Sequence, residues 1–395
     1  MPEDASLTVV EADDARWDEY NSLATRSYGH RVADIARLRP RADARVALRD
    51  GRVVAGGIGL LVPQYFGGQP VPSASLACGC VAPEERGSHL WVRMVDERLR
   101  PLQEQGAVLA TAWSTSTGYG NRMGWAAPTQ VFSWAVPTDE LKRTFDETGF
   151  EITYGPTRPA HRMQRDLAAL WNGPWQRPHW WESWQQDEHP DLTSYRFNLP
   201  GEEPAGLLSL AFDHHVPEGR QLVVHDFWAA TSRAAAAMFA FLGRYNSRIP
   251  TVAFQRTGLP PVPTLLHNLH RAGSVTARTW HPWMLRILDL PQAVRLRGWP
   301  EDLDLTLPLD VVCETGAATQ RYVLQITRGA AELAPTASEG GRSLTLTRRQ
   351  FAIWYAGGYR TAAAAALAGV HGDPQEITQL VRATSDREPW LPEYF

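Results

Sequence analysis

The chain has 395 residues, 44% of them apolar, enough at roughly 150 residues per domain for two or three domains with cores of their own; a disordered or single-motif chain is excluded. Its net charge of −4, from 39 basic and 43 acidic residues spread along the sequence, leaves no basic stripe for a polyanion, so nucleic acid is not expected as a partner. No apolar run approaches the ~20 residues of a membrane span, and the opening MPEDASLTVVEADDARW lacks the basic and apolar regions of a signal peptide, so the expectation is a cytoplasmic protein with no membrane partner.

Residues 8–25 read as a strand followed by an amphipathic helix. Between 44 and 62, apolar and polar residues alternate around Asp50-Gly51, a pair that favours a tight hairpin because both accept positive φ. A second turn at Gly67-Gly68 leads into a strand at 72–82. A helix is predicted over 89–105, where Leu90, Met94, Val95, Leu99 and Leu102 form one apolar face, with Gly106 as its stop and a buried strand Ala107–Trp113 after it. Further on, strands at 205–213, 221–228 and 250–256 flank a helix at 232–243 with Thr231-Ser232 at its N-cap, which suggests a second copy of the first architecture. LPPVP at 259–263 is a stiff connector, and Trp180 and Trp184 share a helical face that suits a core or a subunit contact. Beyond Trp280, a strand and short helix at 283–299, strands over 303–348 and helices over 349–383 suggest an α+β domain of a different kind.

The chemical motifs are mostly negative. GxxxxGK[ST], HExxH and GxSxG are absent. The cysteines, Cys78, Cys80 and Cys313, form no CxxC, and His214-His215 and His267/His270 lack supporting ligands, so neither a disulfide framework nor a metal site is expected. Cys78 and Cys80, two apart on one strand, would face the same side, and small residues stand there in place of the β-branched ones a buried strand prefers.

Five stretches, in order, carry a resemblance: VAPEERGSH (81–89), TGYGNRMGWAAP (117–128), WMLRILDLP (283–291), WYAGGYRTAAAAALAG (354–369) and the terminal PWLPEYF. Together they resemble the enhanced intracellular survival (Eis) family of GNAT acetyltransferases over essentially the whole chain. The resemblance implies an α/β and α+β chain of tandem GNAT folds followed by a sterol-carrier-protein-like domain. The expected divisions are 1–150, 151–285 and 286–395, the second GNAT copy having lost its own donor site.

It further implies an acyltransferase that uses acetyl-CoA or another acyl-CoA on a primary amine of an aminoglycoside-like or other cationic small molecule, in a homo-oligomer that is a hexamer in the family. By the same resemblance Tyr119 is the general acid and the terminal carboxylate of Phe395 the general base. The pairing is chemically coherent: an ammonium must lose a proton before it can attack a thioester, and the leaving thiolate must gain one. Val81, Arg86, Gly87, Ser88, His89 and Ser114 fall where the donor is held, and Trp17, Tyr28, Asp34, Trp113 and Glu393 are candidates for the amine pocket.

The pyrophosphate loop departs from the pattern. Either His89 or Gly87 stands at the family's glycine, and Glu84 and Glu85 replace basic or neutral residues. At an effective dielectric near 20, a like charge within ~5 Å opposes a bound dianion by about 3 kcal/mol. Two other readings therefore stand beside acyl transfer: the same scaffold with altered chemistry (another donor, or a lyase, hydrolase or isomerase step in natural-product tailoring), and a non-catalytic protein that binds a cationic metabolite.

Overall fold

The computed structural model describes residues 7–28, 38–114, 117–146, 149–155, 158–213, 221–254, 258–262, 264–269, 271–316, 318–337 and 343–395. The chain divides into two compact units, one of residues 1–128, 282–386 and Phe395, the other of 129–281 and 387–394.

In chain order the first unit opens with β1 (Leu7–Glu11), α1 (Asp14–Tyr28), β2 (Asp43–Arg49), β3 (Arg52–Leu61), β4 (Gln64–Phe66), β5 (Gln69–Val71), β6 (Ser73–Val81), α2 (Leu90–Glu104), β7 (Leu109–Trp113) and α3 (Thr117–Arg122). The β2–β3 hairpin turns on Asp50 and Gly51 at φ 51° and 77°, as the dipeptide predicts. Gly106, at φ 99°, follows the end of α2, whose buried face holds Leu90, Met94, Val95, Leu99 and Leu102.

The second unit supplies β8 (Phe132–Pro137), α4 (Thr138–Thr144), β9 (Glu151–Tyr154), α5 (Arg158–Ala168), α6 (Trp181–Glu188), β10 (Thr193–Asn198), β11 (Pro204–Asp213), β12 (Gln221–Ala229), α7 (Ser232–Gly243), β13 (Thr251–Phe254), α8 (Thr264–His267) and β14 (Thr276–Thr279). The chain then returns to the first unit with β15 (Trp283–Ile287), α9 (Leu290–Leu296), β16 (Asp304–Val312), β17 (Thr319–Thr327), β18 (Ala330–Pro335), β19 (Leu344–Thr347), α10 (Arg348–Tyr355), α11 (Ala362–Leu367) and α12 (Pro374–Arg382).

Two sheets share one plan. The first runs β1-β2-β3-β6-β7-β15 and the second β14-β8-β13-β12-β11-β10-β9; in each, one inner pair, β6/β7 or β12/β13, is parallel and the other pairs are antiparallel. Each also carries a bulge beside its parallel pair, opposite Gly56/Ile58 in one and at Ser209/Leu210 in the other. A third sheet, β18-β17-β16-β19, buries alternate residues of β16 and packs against α10 and α12.

Hydrogen bonding divides the chain differently from the expected boundaries at 150 and 285. Residues 132–137 pair with β13 and β14 in the second sheet, and 283–287 pair with β7 in the first. β8 lies inside the second sheet between β13 and β14, β15 forms an edge of the first, and an apolar strand does not reveal in its own residues which sheet it will join. The tryptophan face expected at 180 and 184 also differs: α6 begins at Trp181, which is the ring buried against Trp175 and Trp184. Among the described residues no helix is long and apolar enough to cross a membrane.

Candidate active site

The first sheet opens at its parallel pair. Ser73–Leu76 pair with Leu109–Ala112, and β6 then continues through Val81 with no strand partner on that edge among the described residues. A crevice at the carboxyl ends of parallel strands is where open α/β sheets take their ligands. β6 is irregular there: Ala77 pairs with Ile58 and Cys80 with Gly56, leaving Cys78 and Gly79 opposite Gly57, with Cys78 at φ 49°. This bulge breaks the alternation that would set Cys78 and Cys80 on one side. Burial pushes the Cys80 thiol up to about 11, so it stays protonated at neutral pH.

Three successive carbonyls of the bulge are held by side chains from two helices. Arg98 of α2 donates from Nη2 to Ala77 O at 2.6 Å and also to Ile58 O. Tyr20 of α1 donates to Cys78 O at 2.6 Å, and Tyr28 donates to Gly79 O at 2.7 Å. Glycines make the room. A Cβ on Gly57 would lie 2.6 Å from Arg98 Nε, one on Gly79 2.8 Å from Arg98 Nη1, and one on Gly56 2.8 Å from Tyr20 Cε2, all closer than real Cβ atoms come. Because adjacent strand residues face opposite sides, Gly56 and Gly57 show that Tyr20 and Arg98 reach the sheet from opposite faces.

Arg98 is 1% exposed, and among the described residues no carboxylate pairs with it; its Nε has no hydrogen-bond partner there. Burial lowers its pKa, and the nearby tyrosines and cysteines are the groups that oppose the shift. An unpaired buried cation costs several kcal/mol, which the carbonyl bonds and the Trp91 ring, 5.9 Å away, offset.

After β6, eight residues lead to α2. Ala82 donates to Val54 O at 2.8 Å, Arg86 to Ser27 O at 3.2 Å and Ser88 Oγ to Glu85 O at 2.6 Å. His89 caps the helix in the left-handed region at φ 59°. Gly87, at φ 90°, has nothing within 4 Å of where a Cβ would stand, an open stretch of loop beside the N-terminus of a 15-residue helix. Helix N-termini favour phosphate by dipole and by unpaired N–H groups.

The two glutamates are not the obstacle their sequence suggests. Glu84 pairs with Arg26 at 3.0 Å, and Glu85 with Arg49 at 2.9 Å. Its own backbone N–H and then Arg26 hold the Glu84 carboxyl below the ordinary carboxylate range. With both charges offset, Arg86 has no acidic partner among the described residues, and the loop fits a dianionic donor group.

The other expected residues distribute as follows. Val81 ends β6, with Ser27 Oγ 3.4 Å from its carbonyl. Trp113 ends β7, and Ser114 donates its N–H to Pro282 O at 3.3 Å, so both stand at the mouth of the crevice. Tyr119 lies on α3, the helix that follows β7; its side chain and the whole of Asp34 fall outside the described residues. Phe395 belongs to this same unit. Trp17 is core, edge-on to Tyr20 at 5.8 Å, and 3% exposed.

Glu393, expected in the amine pocket, belongs instead to the second unit and is buried there, its Oε1 on Arg177 Nε at 2.8 Å and its Oε2 on the Trp175 N–H at 3.0 Å. Arg177 also holds Asp226 at 2.6 Å, and these two carboxylates keep the guanidinium protonated against burial. The acid is consumed by structure.

The second sheet lacks the corresponding loop. β12 ends at Ala229 and α7 begins at Ser232, with Thr231 Oγ1 accepting the Ala234 N–H at 3.1 Å. Two residues replace eight, and a side chain satisfies the helix terminus. Past its parallel pairing, β12 is covered by the C-terminal tail: Trp228 meets Trp390 at 4.8 Å, and Asp226 is joined to Glu393 through Arg177.

Comparison with known proteins agrees with these observations. Residues 8–127 match an acetyltransferase (GNAT) domain family, 173–287 match a second one, and 290–392 match a sterol carrier protein domain. An uncharacterized N-acetyltransferase of Streptomyces avermitilis is 27% identical over 83% of this chain and 82% of its own length. A GCN5-related N-acetyltransferase from Anabaena variabilis superimposes with a TM-score of 0.85 at 20% identity, covering 98% of this chain and 100% of that one. Eis1 from Mycobacterium abscessus does so with a TM-score of 0.73 at 15% identity, covering 98% and 100%. The chain is thus a tandem GNAT protein with a sterol-carrier-like third domain. It is an enzyme of the GNAT acetyltransferase class, a fold that implies an acyl-CoA donor. Among the described residues no group of side chains is arranged to hold a metal.

Proposed function

We propose that the enzyme transfers an acetyl or related short acyl group from acyl-CoA to a primary amine of an aminoglycoside-like or other polycationic small molecule, in the crevice of the first unit. The observation that carries this reading is the parting of β6 from β7 above a bulge held from both faces, followed by a loop whose two acids are paired with arginines. Arg86, Gly87, Ser88 and His89 with the N-terminus of α2 would hold the pyrophosphate, and Val81 and Ser114 border the arm that leads to the thioester. When bound, the donor supplies an activated acyl carbon.

The chain's own residues manage the protons. The terminal carboxylate of Phe395 attracts the ammonium and accepts its proton, and partial removal from water makes that carboxylate a stronger base. Tyr119 Oη gives its proton to the departing sulfur. The pairing of Glu84 and Glu85 with arginines supports this donor over a different one. Assembly as a hexamer belongs to the same proposal.

Release of free thiol from acetyl-CoA across a panel of aminoglycosides and polyamines tests it. Turnover with at least one amine, reduced about a hundredfold or more in Tyr119→Phe, is expected from the weight of a general acid. Absence of turnover with every amine, or full activity in that variant, overturns it.

A further inference from the structure

Arg98 is a cation on the third turn of α2, 1% exposed, without a carboxylate among the described residues, and bonded to the sheet only through the carbonyls of Ile58 and Ala77. Buried charges are ordinarily paired, and a core position of this kind is filled at less cost by methionine or leucine. Here Gly57 is given up to accommodate the guanidinium, and Gly79 on the neighbouring strand to accommodate the Trp91 ring together with it. Gly79 lies in the bulge at Cys78–Gly79 and Gly57 opposite it, where β6 runs on past its last pairing with β7. Tyr20 and Tyr28, the other two groups that hold the bulge, donate their hydroxyls to its carbonyls.

We propose that Arg98 is the positioning residue of the acyl-transfer site: acting through the backbone of Ala77, it fixes the bulge and keeps a permanent positive charge beside the end of β6. The inference rests on the acyl-CoA reading above and gives it an electrostatic device. During transfer the amine nitrogen forms its bond to the acyl carbon as the carbon–sulfur bond breaks. The electron pair leaves on sulfur, the amine's surplus proton goes to a carboxylate, and the sulfur is then protonated. Negative charge therefore grows first on the acyl oxygen and then on sulfur, both within the crevice. A fixed cation in a low-dielectric surround favours that charge without reorganising during the reaction. Because Arg98 does not reach the crevice itself, its effect appears in the chemical step and not in the affinity for donor.

The test uses the full-length protein and its R98M and R98K variants. Each is measured for thermal melting, for CoA and acetyl-CoA affinity by calorimetry, for kcat and KM, and for the pH at which the thiol of bound CoA ionises, read from thiolate absorbance. The expected result for R98M is a kcat at least tenfold lower, a dissociation constant within about threefold of the parent, and a bound thiol that ionises at higher pH. R98K, which keeps the charge, recovers part of both. An unchanged kcat and thiol titration, or a loss confined to affinity, overturns the inference while leaving acyl transfer standing. If R98M does not fold, Gly57→Ala, which displaces the guanidinium, is read in the same way. Failure of the parent protein to bind CoA overturns the acyl-CoA reading and this inference with it.

Discussion

Gly57 and Arg98 are 41 positions apart in sequence, yet the guanidinium of one occupies the space where a side chain of the other would begin. The absence of that side chain lets a cation from α2 reach the carbonyls of two strands. Gly57→Ala is therefore expected to lower stability by about 1–3 kcal/mol, as overpacking in a core does. Denaturant unfolding checks it. A variant as stable as the parent would mean that the guanidinium has another place to go.

This relationship also marks what the sequence concealed. The hairpin at Asp50-Gly51, the extent of α2 and the Thr231 cap were legible because each depends on residues within a few positions of one another. So were the two copies of one architecture, since hydrophobic period and turn residues carry that information. The CGC of β6 stands out as an anomaly, whereas the alternating pattern of 44–62 does not single out the glycines of RVVAGGIGLL, although glycine in a strand does signal a close approach. The partner that approaches, Arg98, sits on a helix whose apolar face suggests nothing polar beneath it. The pairing of Glu84 with Arg26 and of Glu85 with Arg49 was equally hidden, because it spans 58 and 36 residues of chain.

His89 holds a left-handed conformation that costs a residue with a side chain about 1–2 kcal/mol. Replacing it with glycine is expected to leave the protein as stable or up to about 1 kcal/mol more stable, and to tighten acetyl-CoA binding. Thermal melting and calorimetry on His89→Gly measure both. A clear loss of stability would show that the imidazole makes a contact worth more than the strain.

In the second unit, Arg177 joins Asp226 to Glu393, with all three side chains nearly removed from solvent. Arg177→Met leaves two carboxylates without their cation and is expected to cost about 3–5 kcal/mol, whereas Glu393→Gln, which still accepts the Trp175 N–H, costs less. Denaturant midpoints order the two. A Glu393→Gln protein with unchanged stability and a weakened affinity for the amine would restore Glu393 to the pocket.

Cys80 gives the stability a pH dependence with a defined sign. Burial raises its thiol from an ordinary value near 9 to about 11, so the unfolded chain releases this proton first. Its contribution is complete below the unfolded value and declines as the pH rises towards 11, by about 3 kcal/mol in all. Cys80→Ala is expected to flatten that decline, read as denaturant midpoints between pH 8 and 11. An equal decline in both proteins would place its origin elsewhere.

The central claim is that one of two GNAT copies, the one with the eight-residue loop and the bulge held by Arg98, takes an acyl-CoA donor. Titration of the full-length protein with acetyl-CoA in a calorimeter tests this most directly. The predicted result is binding at micromolar affinity with one site per chain, greatly weakened by Arg86→Glu. No binding, or two equivalent sites per chain, would contradict it.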